Sequence, residues 1–235
     1  MNPSLQKMDL HVLTDKRLAK GRSHLDVVRE AIEGGAPVIQ LRDKEANSRQ
    51  LIDIGQQLRR LTREKGVVLI INDRVDIALA VEADGVHVGP EDMPVHLARK
   101  ILGPHAIIGA SAGTLEEALR AEEEGASYLG VGSIFATSTK SDAGAPIGTR
   151  LLAEIKAHVK IPVVAIGGIN YGNVEEVLRA GADGVAVVSA VVGAEDIKEA
   201  TRSLLAKIRG IKGLKAIKIP SPEASGKGPG TYAPG

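Results

Sequence analysis

The sequence predicts one α/β domain built as a closed (β/α)8 barrel, and three observations carry that expectation. Eight short apolar runs suited to buried parallel strands alternate strictly with eight helix-like segments. The runs are rich in Val and Ile and only three to five residues long, as strands covered on both faces are. A helix–Gly–Ala–strand junction also recurs, at Glu33-Gly34-Gly35-Ala36, Glu82-Ala83-Asp84-Gly85, Glu124-Gly125-Ala126 and Ala180–Gly184. Eight such units favour closure, with an open eight-stranded sheet as the alternative.

In chain order the strands are expected at Leu10–Leu13, Val38–Leu41, Val67–Ile71, Gly85–Val88, Ile107–Gly109, Tyr128–Val131, Val163–Ile166 and Gly184–Val188. The helices between them are expected at His24–Glu33, Ser48–Glu64, Val75–Glu82, His96–Leu102, Leu115–Glu124, Thr149–His158, Val174–Ala180 and Asp196–Ile208. Ser23 stands where it can cap the first helix, and Thr114 with Glu117 forms a capping-box pattern before the fifth. After Ile208 the periodicity stops. Residues 1–209 are therefore assigned to the barrel, and the Gly-, Pro- and Lys-rich residues 210–235 to a disordered tail.

Composition removes several functions. There is no cysteine, which excludes disulfides, thiolate metal sites and thiol catalysis. Residues 1–208 carry 25 basic against 28 acidic side chains, and aromatics make up 2% of the chain, so a nucleic-acid partner is not expected. No apolar run is long enough for a membrane span, and no signal peptide is seen, which makes a cytoplasmic protein the default.

In such a barrel the active site lies at the C-terminal ends of the strands. The stretch from Leu69 to Pro94 reads as strand, helix, strand, and it delivers Asn72-Asp73-Arg74 and Glu91-Asp92 to the same sheet edge. Asp73 and Asp92 each have a plain reading as a helix cap. Together, at the ends of adjacent strands, they can share one Mg2+, which commonly takes one or two carboxylates and leaves its other positions to water and phosphate oxygens. After the second strand, Gln40-Leu41-Arg42-Asp43-Lys44 alternates so that Gln40, Arg42 and Lys44 share a face, with Leu41 on the other. A solvated rim with Arg42 paired to a local carboxylate is the alternative there.

Strand five runs into small residues, Gly109-Ala110-Ser111-Ala112-Gly113, read as a turn. Strand six leads through Gly130–Lys140, where Thr137, Ser138 and Thr139 supply hydroxyls ahead of Lys140. Strands seven and eight end in Gly167-Gly168-Ile169 and Val187-Val188-Ser189-Ala190, where barrels often hold a phosphate on backbone N–H groups. The six histidines show no metal-ligand spacing, and His87 is read as a hydrogen-bonded core histidine. One divalent cation, two or three cationic side chains and two anion cradles fit a reaction between two phosphorylated substrates.

Residues 40–44, Asn72-Asp73-Arg74, Asp84–Gly89 with Glu91–Pro94, Gly130–Lys140 and Ala165–Ile169 together resemble the thiamine-phosphate synthase family over residues 9 to 208. The resemblance implies a TIM-barrel transferase that joins 4-amino-2-methyl-5-hydroxymethylpyrimidine diphosphate to a thiazole phosphate and releases diphosphate. It implies one Mg2+ per subunit on Asp73 and Asp92. Pyrimidine diphosphate contacts are implied for Gln40, Leu41, Arg42, Asp43, Lys44, Asn72, Ser111 and Lys140, with Lys140, Arg42 and Ser111 closest to the chemistry. Thr137, Ser138, Thr139, Gly168, Val188 and Ser189 are implied for the thiazole phosphate. Pro90, Ser133 and Ala136 depart from the family pattern. A thiazole tautomerase-like relative and a non-catalytic sensor of thiamine precursors are the alternatives, and a homo-oligomer is left open.

Overall fold

The computed structural model describes residues 8–137, 139 and 145–216. Its strands are β1 (Leu10–Leu13), β2 (Val38–Leu41), β3 (Val68–Asn72), β4 (Gly85–Val88), β5 (Ile107–Ala112), β6 (Tyr128–Val131), β7 (Val163–Ile166) and β8 (Gly184–Val187). The helices are α1 (His24–Glu33), α2 (Ser48–Lys65), α3 (Val75–Ala80), α4 (Val95–Leu102), α5 (Leu115–Glu123), α6 (Gly148–His158), α7 (Val174–Arg179), α8 (Ser189–Val192) and α9 (Ile197–Ala216). The strands pair in parallel in sequence order, and β1 also pairs with β8, so the barrel is closed and the open-sheet alternative is excluded.

Side-chain alternation divides the core in two. Val38, Val68 and Ile70 point into the barrel with Leu13, Ile107, Tyr128 and Val164, while Ile39, Leu41, Leu69 and Ile71 pack outward against the helices. The register sets Leu13 opposite Gln40 and Gln40 opposite Ile70, which places Gln40 directly above the apolar plug. This is the period-2 pattern that the strand sequences carry.

Local signals act much as their chemistry dictates. Ser23 accepts the Asp26 N–H at the start of α1, and Thr114 accepts that of Glu117 at the start of α5. Glu117 does not reach back to Thr114 to complete the box; its carboxylate takes the Gly113 N–H at 2.7 Å instead. Gly35, Gly125 and Gly181 adopt positive φ at three of the recurrent junctions. At the fourth, Glu82 takes the left-handed position, and Gly85 serves another purpose, since a Cβ there would lie 1.8 Å from the Ile107 carbonyl oxygen.

Four expectations need correction. β5 runs on to Ala112, so Ser111 belongs to a strand and not to a turn. The short helix α8 follows β8 and had no periodic signature of its own. α9 continues to Ala216, past the expected end of the barrel at residue 209. Its extension is held by Ile211 against the core, by Lys212 on the Asp9 carboxylate and the Asp183 carbonyl oxygen, and by Arg209 near Asp9. Finally, neither Asp73 nor Asp92 is a helix cap: the residues before α3 and α4 are Arg74 and Pro94, and neither makes a side-chain capping bond. The remainder of the expected tail, residues 217–235, lies outside the described residues, as do Ser138 and Lys140.

Candidate active site

A cavity of about 360 Å³ opens at the C-terminal ends of the strands. Gln40, Arg42, Asn72 and Ser111 line one side, and Thr137, Thr139, Gly168, Val188 and Ser189 line the other. Nine of the expected contact residues, drawn from six strand ends, therefore share one enclosure.

Its floor is built from His87, Tyr128 and His11. His87 lies with Nδ1 3.0 Å from the Tyr128 hydroxyl and Nε2 3.1 Å from Ser111 Oγ. The ring rests against β5 and β6, where glycine makes room: a Cβ on Gly109 would sit 2.4 Å from His87 Nδ1, and one on Gly130 would sit 2.7 Å from His87 Cε1. Below it, His11 meets Tyr128 edge-on at 5.2 Å and places Nε2 2.9 Å from Met8 Sδ. Burial, helped by nearby His87, pulls the His11 pKa down to about 3, so the ring is neutral. Burial pushes the Tyr128 phenol well above its usual value, and it keeps its proton.

Charge is concentrated at the rim. Arg42 Nη1 donates to Asp15 Oδ2 at 2.9 Å. Lys44 donates to Asp73 Oδ2 at 2.5 Å, and Lys44 and Asp43 line a second, polar recess that Arg42 and Asp15 share. Asn72 and Pro90 line the main cavity, with Asp73 and Asp92 beside them in the chain. Asp73 sits at φ +64° and donates its N–H to the His87 carbonyl oxygen at 2.7 Å. Asp92 Oδ2 accepts the Gly89 N–H at 2.7 Å. Burial raises the Asp92 pKa, and the neighbouring Asp73 carboxylate raises it further, against the pull of the Gly89 N–H and Lys44. The Asp73 carboxylate disfavours charge on Asp92, and the two together are neighbouring oxygen donors of the kind a divalent cation takes. Among the described residues no group of three or more His, Cys, Asp or Glu is placed to hold a metal.

Not every expected residue turns toward the cavity. The Leu41 side chain is buried in the outer core, which leaves only its backbone near the site. Asp43 is turned to His24, 3.0 Å away, and accepts the Glu45 and Ala46 N–H groups, so its carboxylate organises the loop after β2. Conversely, His11, Tyr128 and Asp15 are parts of the site that strand-end motifs do not reveal. Asp15 had a signal: Thr14-Asp15 follows β1 just as Asn72-Asp73 ends β3.

A closed eight-stranded parallel barrel with a cavity over its C-terminal strand ends belongs to the class of barrel enzymes that bind their substrates at that face. The comparisons narrow this. The family model described as Thiamine monophosphate synthase matches residues 10–191. The chain is 56% identical over 200 residues to a thiamine-phosphate synthase of Moorella thermoacetica, covering 85% of this chain and 95% of that one. A relative of the same name from Chloroflexus aurantiacus is 59% identical over 199 residues, covering 85% and 92%. The solved thiamine phosphate pyrophosphorylase of Pyrococcus furiosus superimposes with a TM-score of 0.81 at 51% identity, covering 88% of this chain and 98% of that one. The chain belongs to the thiamine monophosphate synthase family.

Proposed function

We propose that this chain is a transferase with thiamine-phosphate synthase activity, coupling the pyrimidine diphosphate to the (carboxylated or decarboxylated) thiazole phosphate with release of diphosphate and, from the carboxylated form, of carbon dioxide. The observation that carries the reading is the single cavity lined by both sets of residues, Gln40, Arg42, Asn72 and Ser111 on one side and Thr137, Thr139, Gly168, Val188 and Ser189 on the other. Two reactants held in one enclosure react as if at very high local concentration.

The residues divide the work. Among the described residues, Gln40 Oε1 is buried with no hydrogen-bond partner. An acceptor left without a donor is costly inside a protein, and the amino group of the pyrimidine would satisfy it. Arg42 and Ser111 offer donors to the diphosphate, with Lys44 and Lys140 as further cationic contacts. The hydroxyls of Thr137, Ser138, Thr139 and Ser189, with the backbone at Gly168 and Val188, take the thiazole phosphate. Asp73 and Asp92 would hold one Mg2+ per subunit, which when bound would neutralise charge on the departing diphosphate. The C–O bond to the diphosphate breaks with its electron pair remaining on the diphosphate oxygen, and the thiazole nitrogen then forms the C–N bond to the methylene cation. Neutral His11 and un-ionised Tyr128 add no fixed charge of their own beneath that cation.

The same reading places the enzyme in the cytoplasm, with small-molecule substrates rather than nucleic acid or membrane as its partners. Among the described residues no helix is long and apolar enough to cross a membrane. Mixing purified protein with Mg2+ and both substrates tests the proposal. Thiamine phosphate should appear; its absence, with thiazole phosphate still bound, would overturn the reading in favour of a tautomerase-like protein or a sensor.

A further inference from the structure

We infer that Asp15, and not only the residues that face the cavity, sets the affinity for the diphosphate, acting as a positioning residue through Arg42; the inference rests on the function proposed above. The last residues leading out of β1 hold Arg42 at three points. Thr14 Oγ1 accepts the Arg42 N–H at 3.0 Å and donates to the Arg42 carbonyl oxygen at 3.1 Å. Asp15 Oδ2 takes the guanidinium at 2.9 Å. The Asp15 side chain is 3% exposed and that of Arg42 10%, so the pair is shielded from the solvent that weakens surface ion pairs. Asp15 is itself anchored, because its Oδ1 accepts the Arg17 N–H at 3.0 Å and the Leu18 N–H at 3.3 Å.

This geometry does what a free arginine cannot. An arginine side chain loses about 2 kcal/mol of rotamer freedom when it is ordered. Here that cost is met on folding, before any ligand arrives. The Nη1 bond to Asp15 tethers the guanidinium, and Arg42 lines both the main cavity and the polar recess beside it. A guanidinium held there can offer a diphosphate two parallel bonds from its other N–H groups. Asp15 touches no substrate in this arrangement. It decides where Arg42 points.

The test is the binding of inorganic pyrophosphate with Mg2+ to the full chain, measured alongside thiazole phosphate binding. In Asp15→Asn the oxygen can still serve the turn N–H groups, but the amide presents no anion to Arg42. Pyrophosphate binding is expected to weaken about tenfold, the worth of one charge-assisted bond, with thiazole phosphate binding changed less than about twofold. In turnover the loss should fall on the KM for the pyrimidine diphosphate more than on kcat. Asp15→Glu, which keeps the anion, should recover part of the loss and serves in its place if the Asn variant does not fold. Adding Asp15→Asn to Arg42→Gln should produce no further weakening, because the two act in series. If Arg42→Gln weakens pyrophosphate but Asp15→Asn does not, or if the two losses simply add, Asp15 is only a structural residue and the inference fails. If Arg42→Gln leaves pyrophosphate binding untouched, the placement of the diphosphate itself is wrong and both readings fall.

Discussion

His87 Nε2 lies 3.1 Å from Ser111 Oγ, so that the third residue of β4 and the fifth of β5 meet on the floor of the cavity. The contact exists because Gly109 and Gly130 leave space for the imidazole, and it orients the one side-chain hydroxyl that β5 contributes to the cavity. Ser111→Ala should therefore reduce kcat/KM roughly 10- to 100-fold, the worth of one hydrogen bond to a charged oxygen. Thermal stability should barely move. Steady-state kinetics beside a melting curve separates the two effects, and unaltered kcat/KM would remove Ser111 from the diphosphate site.

Gly109→Ala probes the same contact from the other side. Its Cβ would lie 2.2 Å from Tyr128 Cζ and 2.4 Å from His87 Nδ1, and the Tyr128 side chain is fully buried. Overpacking of this kind costs about 1–3 kcal/mol. A fall of roughly 2–10 °C in Tm is expected for a domain of this size. Activity should fall with it as His87 is displaced. A variant that melts like the parent would mean that the ring and phenol move aside freely.

Asp92→Asn keeps an oxygen for the Gly89 N–H but removes one of the two facing carboxylates. The variant should stay folded and should melt no lower than the parent without Mg2+, since the neighbouring Asp73 charge no longer opposes a second one. Coupling should be lost at low Mg2+ and regained only in part at high Mg2+, as should follow from a weakened metal site. Chelation of Mg2+ should silence the parent reversibly. Turnover that ignores both the substitution and the chelator would remove Asp73 and Asp92 as the metal pair. Lys140→Ala should likewise abolish coupling without loss of fold.

The buried imidazole of His11 makes stability depend on pH. Its pKa is near 3 in the folded chain against an ordinary 6.5, so on acidification the unfolded chain binds the proton first. Its stabilising contribution is complete above about pH 6.5 and is lost as the pH falls toward 3. Between pH 8 and pH 5 the loss amounts to about 2 kcal/mol. Denaturant titrations at the two pH values, on the parent and on His11→Gln, isolate it as the difference between their pH slopes. Equal slopes would show that His11 is not the group responsible.

Much of this is legible one residue at a time. Gln40 and Arg42 could be assigned to the interior because strand alternation is strict, and the same rule sends Leu41 outward even though its neighbours serve the site. The helix caps at Ser23 and Thr114 are local chemistry that a four-residue window contains. The end of α9 was harder to read, because Gly210 and Gly213 interrupt the helical signal. The segment is held by partners near Asp9 and Asp183, far away in the chain, that no window includes.

By itself the sequence determined the alternation of strands and helices, the closure that eight units favour, the polar clusters at the strand ends and the family they resemble. These depend on short-range sterics and on side-chain periods of 2 and 3.6, which act within a few residues. Only the tertiary structure decided that Asp73 and Asp92 leave the helix starts uncapped, that Asp43 turns away to His24, and that Asp15 takes the guanidinium of Arg42. Those outcomes depend on the register of β1 against β2 and of β3 against β4. A carboxylate satisfies the nearest donor in space, and closing the barrel is what brings that donor within reach.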